Sequence, residues 1–170
     1  MNSKIVYFIS SICLVLLSII IKSVIFPMVF TNDYMPDFSL IAIVFFSINY
    51  GKNIGQIMGF STGLLLDSLS GVPFGLNSII RLILGFFLGF FEGKIFLDRI
   101  LLPCLMVFIC TFVKYILIYI VAFIFPIDMN LNLISMKYFI ELLMNLVFTP
   151  FIFLGFKLLG KKLYKDRGHL

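Results

Sequence analysis

Long apolar runs, interrupted only by short polar stretches, decide what this chain can fold into. The polar breaks are TNDYMPD (31–37), NYGKN (49–53), DSLSG (67–71), EGKIFLDR (92–99) and PIDMNLN (126–132). Hydrophobic residues make up 62% of the sequence and charged residues 12%, whereas soluble domains are roughly half apolar and a quarter charged. A core of this size cannot hide so much apolar surface from water. We therefore predict an all-α integral membrane protein.

The breaks leave six apolar segments, and a membrane-spanning helix requires about 20 mostly apolar residues. The segments are 5–30, 37–50, 54–67, 74–92, 100–125 and 134–159. We predict six transmembrane helices in one compact bundle over residues 1–160, followed by a basic tail at 161–170. The second and third segments are short, so they either tilt or cross the bilayer incompletely. The first is too long for a signal-peptide core and is predicted to be a retained helix.

The basic residues predict the orientation of the bundle. With six spans and both termini in the cytoplasm, the outer loops carry aspartates at 33, 37, 67 and 128 and no lysine or arginine, as the positive-inside rule requires. Nine of the 13 basic residues are then cytoplasmic: Lys4, Lys52, Lys94, Arg99, Lys157, Lys161, Lys162, Lys165 and Arg167. The basic tail is expected to contact anionic membrane lipids. Charges spread over short loops argue against nucleic-acid binding.

Several charges fall inside the apolar segments, where each costs a few kcal/mol unless it is paired or reaches the interface. They include Lys22, Arg81, Lys114 and Glu141. Glu141 can pair with Lys137, which lies four residues earlier on the same helix face. Depth alone suggests Lys114 as another partner of Glu141. Arg81 can face Asp67 across the hairpin between segments three and four, either as a polar site or as a structural ion pair. Asp67 can also be a helix-end group that bonds the backbone of Ser68 or Ser70.

Glycines recur at intervals of four in two neighbouring segments, at Gly55, Gly59 and Gly63 and at Gly85, Gly89 and Gly93. Such stripes let membrane helices approach closely. They either build the bundle or receive the helix of a partner protein. Between the stripes, Gly71, Pro73 and Gly75 supply turn chemistry.

Catalytic motifs are missing from the sequence. The only histidine, His169, is the penultimate residue. No H-E-x-x-H, no G-x-S-x-G and no acidic cluster suited to a metal is present. We therefore predict no enzymatic activity, no catalytic residue, no metal and no cofactor.

The stretch from Pro36 to Gly93 resembles the bacterial rod shape-determining protein MreD family. The shared pattern is a Pro-Asp opening an apolar span, a short basic loop, G-x-x-x-G-F-x-x-G-L-x-x-D, a turn with Pro-x-G, a polar residue, and a glycine-bearing helix. In this sequence the pattern consists of Pro36-Asp37, Gly51-Lys52-Asn53, Gly55, Gly59-Phe60, Gly63-Leu64, Asp67, Gly71, Pro73, Gly75, Asn77, Gly85 and Gly89. Asn77 stands where the family most often has histidine, and Arg81 where it usually has an apolar residue.

The resemblance implies a non-enzymatic scaffold of the cell-wall elongation complex in the bacterial inner membrane. Such a protein binds the bitopic protein MreC, and through it connects MreB filaments to the polymerase RodA and its transpeptidase. Under this hypothesis the glycine stripes and the turn at 67–77 dock a partner helix. The family is also similar in architecture to the substrate-binding subunits of energy-coupling-factor vitamin transporters. A small-molecule-binding transporter subunit is therefore the alternative, although the predicted outer loops are short for it.

Overall fold

The computed structural model describes residues 35–69, 73–93, 101–124 and 136–165, and its regular structure in these ranges is entirely helical. The helices are α1 (Phe38–Leu69), α2 (Leu76–Gly89), α3 (Leu101–Ile124) and α4 (Met136–Lys165). Three stretches are long and apolar enough to cross a membrane: Phe38–Leu69, Leu101–Ile124 and Met136–Leu158. The all-α prediction is confirmed for this part of the chain.

The prediction of six separate spans is not confirmed by the described residues. The predicted segments 37–50 and 54–67 lie in α1, whose helical geometry is interrupted at Gly51. The segment 74–92 contains the shorter α2, with 14 residues. Helix α4 continues to Lys165, into the predicted tail. The predicted first span at 5–30 lies outside the described residues, as do Lys22 and Gly71.

Helix α1 changes direction at Gly51, whose φ of 84° and ψ of −179° are not helical. Glycine adopts this left-handed φ without the steric cost that a Cβ brings. In a straight helix, residues eight apart are separated by about 12 Å. Here a Cβ added at Gly55 would lie 2.9 Å from the Cβ of Ser47. The first arm of α1 (residues 38–50) and the second arm (52–69) therefore fold back on each other. The reversal between them lies in the polar break at 49–53.

The first arm of α1 forms the centre of the core. Every residue from 40 to 46 is only 0–2% exposed, as expected for a helix that is apolar on all sides and enclosed by other helices. Helices α2, α3 and α4 all contact α1. Phe45 stacks on Phe156 of α4 with ring centroids 5.0 Å apart, and meets Phe153 edge-on at 5.0 Å.

Candidate functional site

Asp67, at the end of the second arm of α1, caps the start of α2. Its carboxylate accepts hydrogen bonds from the backbone N–H groups of Gly75, Asn77 and Ser78, each at 3.0 Å. It also accepts from Asn77 Nδ2 at 3.0 Å and Ser78 Oγ at 2.6 Å. Gly75, at the N-cap position with a φ of 100°, offers no side-chain acceptor. Asp67 therefore supplies the missing cap, and its charge suits the positive end of the helix dipole. We name these four residues the Asp67 cap.

The structure corrects the predicted partners of Asp67. A helix-end role is observed, but the bonded residues lie at 75–78 and not at Ser68. The hydroxyl of Ser68 donates to the carbonyl of Leu64 at 2.8 Å; Ser70 lies outside the described residues. The suggested pair between Asp67 and Arg81 does not form, because Arg81 bonds Asp37 and Ser39.

The glycine stripes face each other between the second arm of α1 and α2. A Cβ added at Gly59 would lie 2.6 Å from the carbonyl carbon of Arg81, and one at Gly63 would lie 2.6 Å from the nitrogen of Ser78. Real Cβ atoms do not approach other atoms within 3.0 Å, so the two helices touch backbone to backbone. We name this contact the glycine interface; it comprises Gly55, Gly59, Gly63, Gly85 and Gly89.

This geometry favours the packing interpretation of the stripes. A partner helix could reach the glycines only if α1 and α2 separated. Gly93 is not part of the interface, since a Cβ there would meet nothing within 4 Å. The turn beside the Asp67 cap is open instead: Pro73 is exposed and Phe74 is 72% exposed.

Four buried charges form a second centre, which we name the ion cluster: Asp37, Arg81, Lys114 and Glu141. Arg81 Nη2 lies 2.7 Å from Asp37 Oδ2, and Lys114 Nζ lies 3.1 Å from the same oxygen. Lys114 also forms a hydrogen-bonded ion pair with Glu141, which is one of the two pairings suggested for Glu141 by the sequence. None of the four residues is more than 7% exposed. Two positive and two negative charges cancel, which is the condition under which charges are tolerated in an apolar interior.

Each member of the ion cluster comes from a different part of the bundle. Asp37 directly precedes α1, and its Oδ1 caps that helix by accepting from Leu40 N at 3.1 Å and Ser39 Oγ at 2.7 Å. Arg81 lies on α2, Lys114 on α3 and Glu141 on α4. The cluster therefore joins all four described helices at one point.

A polar seam between α3 and α4 extends from the ion cluster. Asn145 Oδ1 accepts the backbone N–H of Asp37 at 2.7 Å, and Asn145 Nδ2 donates to Thr111 Oγ1 at 3.1 Å. The Thr111 hydroxyl donates to Val107 O at 2.8 Å. Because the Thr111 hydroxyl gives its proton to Val107, it can only accept from Asn145. The Asn145 amide nitrogen therefore faces Thr111 and its oxygen faces Asp37. One turn further, the hydroxyl of Thr149 donates to Asn145 O at 2.5 Å.

A cysteine compensates for a proline in the same seam. Pro150 lies inside α4 and has no N–H to donate to the carbonyl four residues earlier, that of Leu146. Cys104 Sγ on α3 lies 4.0 Å from that carbonyl oxygen and donates to it. Neighbouring helices commonly satisfy such freed carbonyls within membranes.

Several of these residues were not predicted as site residues. Asp37 was expected in an outer loop, yet it is buried at the centre of the ion cluster. Tyr115, whose hydroxyl donates to Glu141, was not singled out. A signal for the seam was present, because Glu141, Asn145 and Thr149 repeat at intervals of four, the same spacing as the glycines.

The polar groups of the Asp67 cap, the ion cluster and the polar seam bond one another. The carboxylates of Asp37, Asp67 and Glu141 are bonded by donors of the chain itself. Within the described ranges, no group of three or more His, Cys, Asp or Glu residues could hold a metal ion. The ion cluster and the polar seam connect the helices to one another, and the Asp67 cap connects α1 to the turn before α2.

Such contacts define a helical membrane protein whose interior polar groups assemble its own bundle. The family model of the rod shape-determining protein MreD matches residues 2–160. The chain belongs to the MreD family, a family of shape-determining proteins that is not known as an enzyme family. No match was found among curated proteins or among solved structures.

Proposed function

We propose that this chain is a non-enzymatic scaffold subunit of the cell-wall elongation complex in the bacterial inner membrane. It binds an MreC-like bitopic protein, and through that partner it links MreB filaments to a RodA-type polymerase and its transpeptidase. Membership of the MreD family supports a role in rod-shape determination. The bonding of the buried carboxylates of Asp37, Asp67 and Glu141 to the chain's own donors supports a structural role for them.

The observation that carries the proposal is the Asp67 cap. Five hydrogen bonds to residues 75–78 hold the turn before α2 in one shape. Phe74 in this turn and Ile79 in the first turn of α2 are exposed on the surface. Large exposed apolar side chains on a rigid element are suited to anchor a partner. We assign the docking of the MreC-like partner to this outer turn surface, formed by Pro73, Phe74 and Ile79.

The proposal includes six spans with both termini in the cytoplasm. Lys52 is exposed beside the change of direction at Gly51, at the opposite end of the second arm from Asp67. Lysine on the inner side agrees with the positive-inside rule. In a variant without native cysteines, Phe74→Cys should react with a membrane-impermeant maleimide from the periplasm. Lys52→Cys should react only after the inner membrane is permeabilised, and the reverse pattern would refute this orientation.

Affinity purification of the tagged protein in mild detergent tests the scaffold role. We expect recovery of an MreC-like protein together with a RodA-type polymerase. Phe74→Ser should reduce that recovery and make rod-shaped cells round, because it removes an anchor without disturbing the buried core. Phe87→Ser is the matched control, since Phe87 is also exposed, at 61% against 72% for Phe74, but lies on α2 away from the turn.

Two outcomes would contradict the proposal. If Phe74→Ser and Phe87→Ser both recover partners as the unmodified protein does, the outer turn surface is not the docking site. If a pair of ATPase subunits is recovered in place of the MreC-like protein, the chain is a transporter subunit.

A further inference from the structure

The two helices that meet at the glycine interface are short for a membrane crossing. We name the second arm of α1 together with α2 the α1–α2 hairpin. Helix α2 has 14 residues, which rise about 21 Å, and residues 52–69 of the second arm rise about 27 Å. The hydrocarbon layer of an ordinary bilayer is about 30 Å thick. Tilting only shortens the distance that a helix crosses, so it does not remove this deficit.

Exposed backbone that is not helical limits α2 at both ends. Before the helix, Pro73 and Phe74 are exposed in the turn, and after it the exposed residues 90–93 form another turn. Irregular backbone does not lie exposed to lipid within the hydrocarbon region, because its polar groups would find no partner there. The two turns therefore lie at the edges of the hydrocarbon layer, and the layer beside α2 is limited to about the 21 Å of the helix.

Charged groups mark the same limit at the end of the hairpin that is away from the Asp67 cap. Lys52 and Glu92 are both exposed. The ammonium of Lys52 lies 5.8 Å from the centroid of the Phe90 ring, so this charge is level with the end of α2 and does not extend beyond it. Between the two ends, the large exposed side chains of the second arm are apolar: Ile57, Phe60 and Leu64.

Helices α3 and α4 fit an ordinary bilayer. Helix α3 has 24 residues, which rise about 36 Å, and it exposes apolar side chains from Leu101 at one end to Ile124 at the other. On α4, the lysines near the two ends of the apolar stretch, Lys137 and Lys157, lie about 30 Å apart along the helix. The hairpin and the pair α3–α4 therefore fit hydrocarbon layers that differ in thickness by about 10 Å.

We propose that the protein thins the bilayer beside the α1–α2 hairpin, where it selects phospholipids with short acyl chains. The exposed apolar band of the hairpin is too narrow for ordinary chains, and a short hydrophobic span is accommodated by thinning of the adjacent bilayer. Beside α3 and α4 the bilayer keeps its ordinary thickness. The inference goes beyond the scaffold role and holds whether or not a partner docks on the outer turn surface.

Fluorescence quenching by brominated lipids tests this selection. The chain contains no tryptophan, so one introduced tryptophan reports the lipid beside a single position. Phe60→Trp lies near the middle of the second arm, and Phe112→Trp, the matched control, lies near the middle of α3. The native phenylalanines are 47% and 60% exposed, so neither change disturbs the core.

Each variant is reconstituted in mixtures of brominated dioleoylphosphatidylcholine, which quenches tryptophan fluorescence, and unbrominated dimyristoleoylphosphatidylcholine, whose chains are shorter. Mixtures with unbrominated dioleoylphosphatidylcholine give the reference for lipids of equal length. We expect the short-chain lipid to relieve quenching at Phe60→Trp about twofold more than the reference lipid does, as a modest mismatch energy predicts. At Phe112→Trp the short-chain lipid should relieve quenching no more than the reference lipid does.

Two results would overturn the proposal. Equal selectivity at the two positions would mean that the bilayer has one thickness around the whole bundle. Much weaker quenching at Phe60→Trp than at Phe112→Trp in brominated lipid alone would mean that protein, such as a second copy of the chain, covers the hairpin in place of lipid.

Discussion

The α1–α2 contact and the α3–α4 contact join membrane helices in opposite ways. At the glycine interface the helices meet because side chains are absent, and their backbones touch at Gly59 and Gly63. At the polar seam the helices meet because side chains are present and bond each other, as Lys114 and Glu141 do. Lipid offers little hydrophobic drive for either contact. We therefore expect the glycine interface to be destabilised by any added side-chain atom. We expect the polar seam to be destabilised when one member of a bonded pair is removed and its partner is left behind.

The largest effect should come from removing one charge of the ion cluster. Lys114→Leu leaves two carboxylates facing one guanidinium, and the loss of one partner of a buried pair costs roughly 3–5 kcal/mol. The double variant Lys114→Leu with Glu141→Leu restores charge balance and should recover most of this stability. Reversible unfolding in mixed micelles measures both. If the double variant is less stable than the single one, the seam does not depend on matched charges.

Adding one carbon to the glycine interface should have the next largest effect. Gly59→Ala would place a Cβ 2.6 Å from the carbonyl carbon of Arg81, and overpacking of this kind costs about 1–3 kcal/mol. Gly155→Ala is the matched control, because a Cβ at Gly155 on α4 meets nothing within 4 Å. The unfolding free energy of Gly155→Ala should be unchanged or slightly higher. Equal losses in both variants would show that the close approach at Gly59 is not what stabilises the hairpin.

A smaller effect is expected at the Asp67 cap. Asp67→Asn keeps the shape of the side chain but turns one acceptor into a donor opposite N–H groups. Loss of a helix cap costs roughly 0.5–2 kcal/mol. Hydrogen exchange at the amides of Asn77 and Ser78 should accelerate accordingly. The control is Ser68→Ala, because the native Ser68 hydroxyl donates to a carbonyl within α1. If the amides of Asn77 and Ser78 exchange as fast in Ser68→Ala as in Asp67→Asn, the cap does not hold the turn.

The smallest effect should appear where Cys104 meets α4. Cys104→Ala removes a weak donor and should cost less than about 1 kcal/mol. In a Pro150→Ala background the helix regains its own N–H, so the same change at Cys104 should cost less still. A double-mutant cycle on unfolding free energies measures this difference. Zero coupling between the two positions would show that the thiol does not satisfy the freed carbonyl of Leu146.

Spacing along the sequence predicted the contacts that are local or repetitive. One of the two interpretations of the glycine stripes, packing within the bundle, agrees with the contact between α1 and α2. One of the two pairings suggested for Glu141, that with Lys114, is observed. The partner of Arg81 was predicted wrongly, since Asp37 lies 44 positions away. Sequence spacing reports which residues share a helix face, but it does not report which distant loop end folds into the interior. Asp37 was assigned to a loop for that reason.

The four-residue repeat of Glu141, Asn145 and Thr149 was available in the sequence and was not used. The charged residues of the apolar segments predicted a polar centre, whereas neutral Asn145 and Thr149 carry no charge that marks them in the same way. Their burial at 0% exposure shows that neutral polar side chains also mark a helix contact. Polar residues at helical spacing are as informative inside a membrane as glycines are.

The enclosed first arm of α1 has a consequence for the biogenesis of the protein. Ribosomes make residues 38–50 before the segments that later enclose them, and a helix of this length spans only about 20 Å of a hydrocarbon layer of about 30 Å. Arg81 and Lys114, which pair with Asp37, are translated after it, Arg81 first. These two ion pairs therefore form only after α2 and α3 have been made.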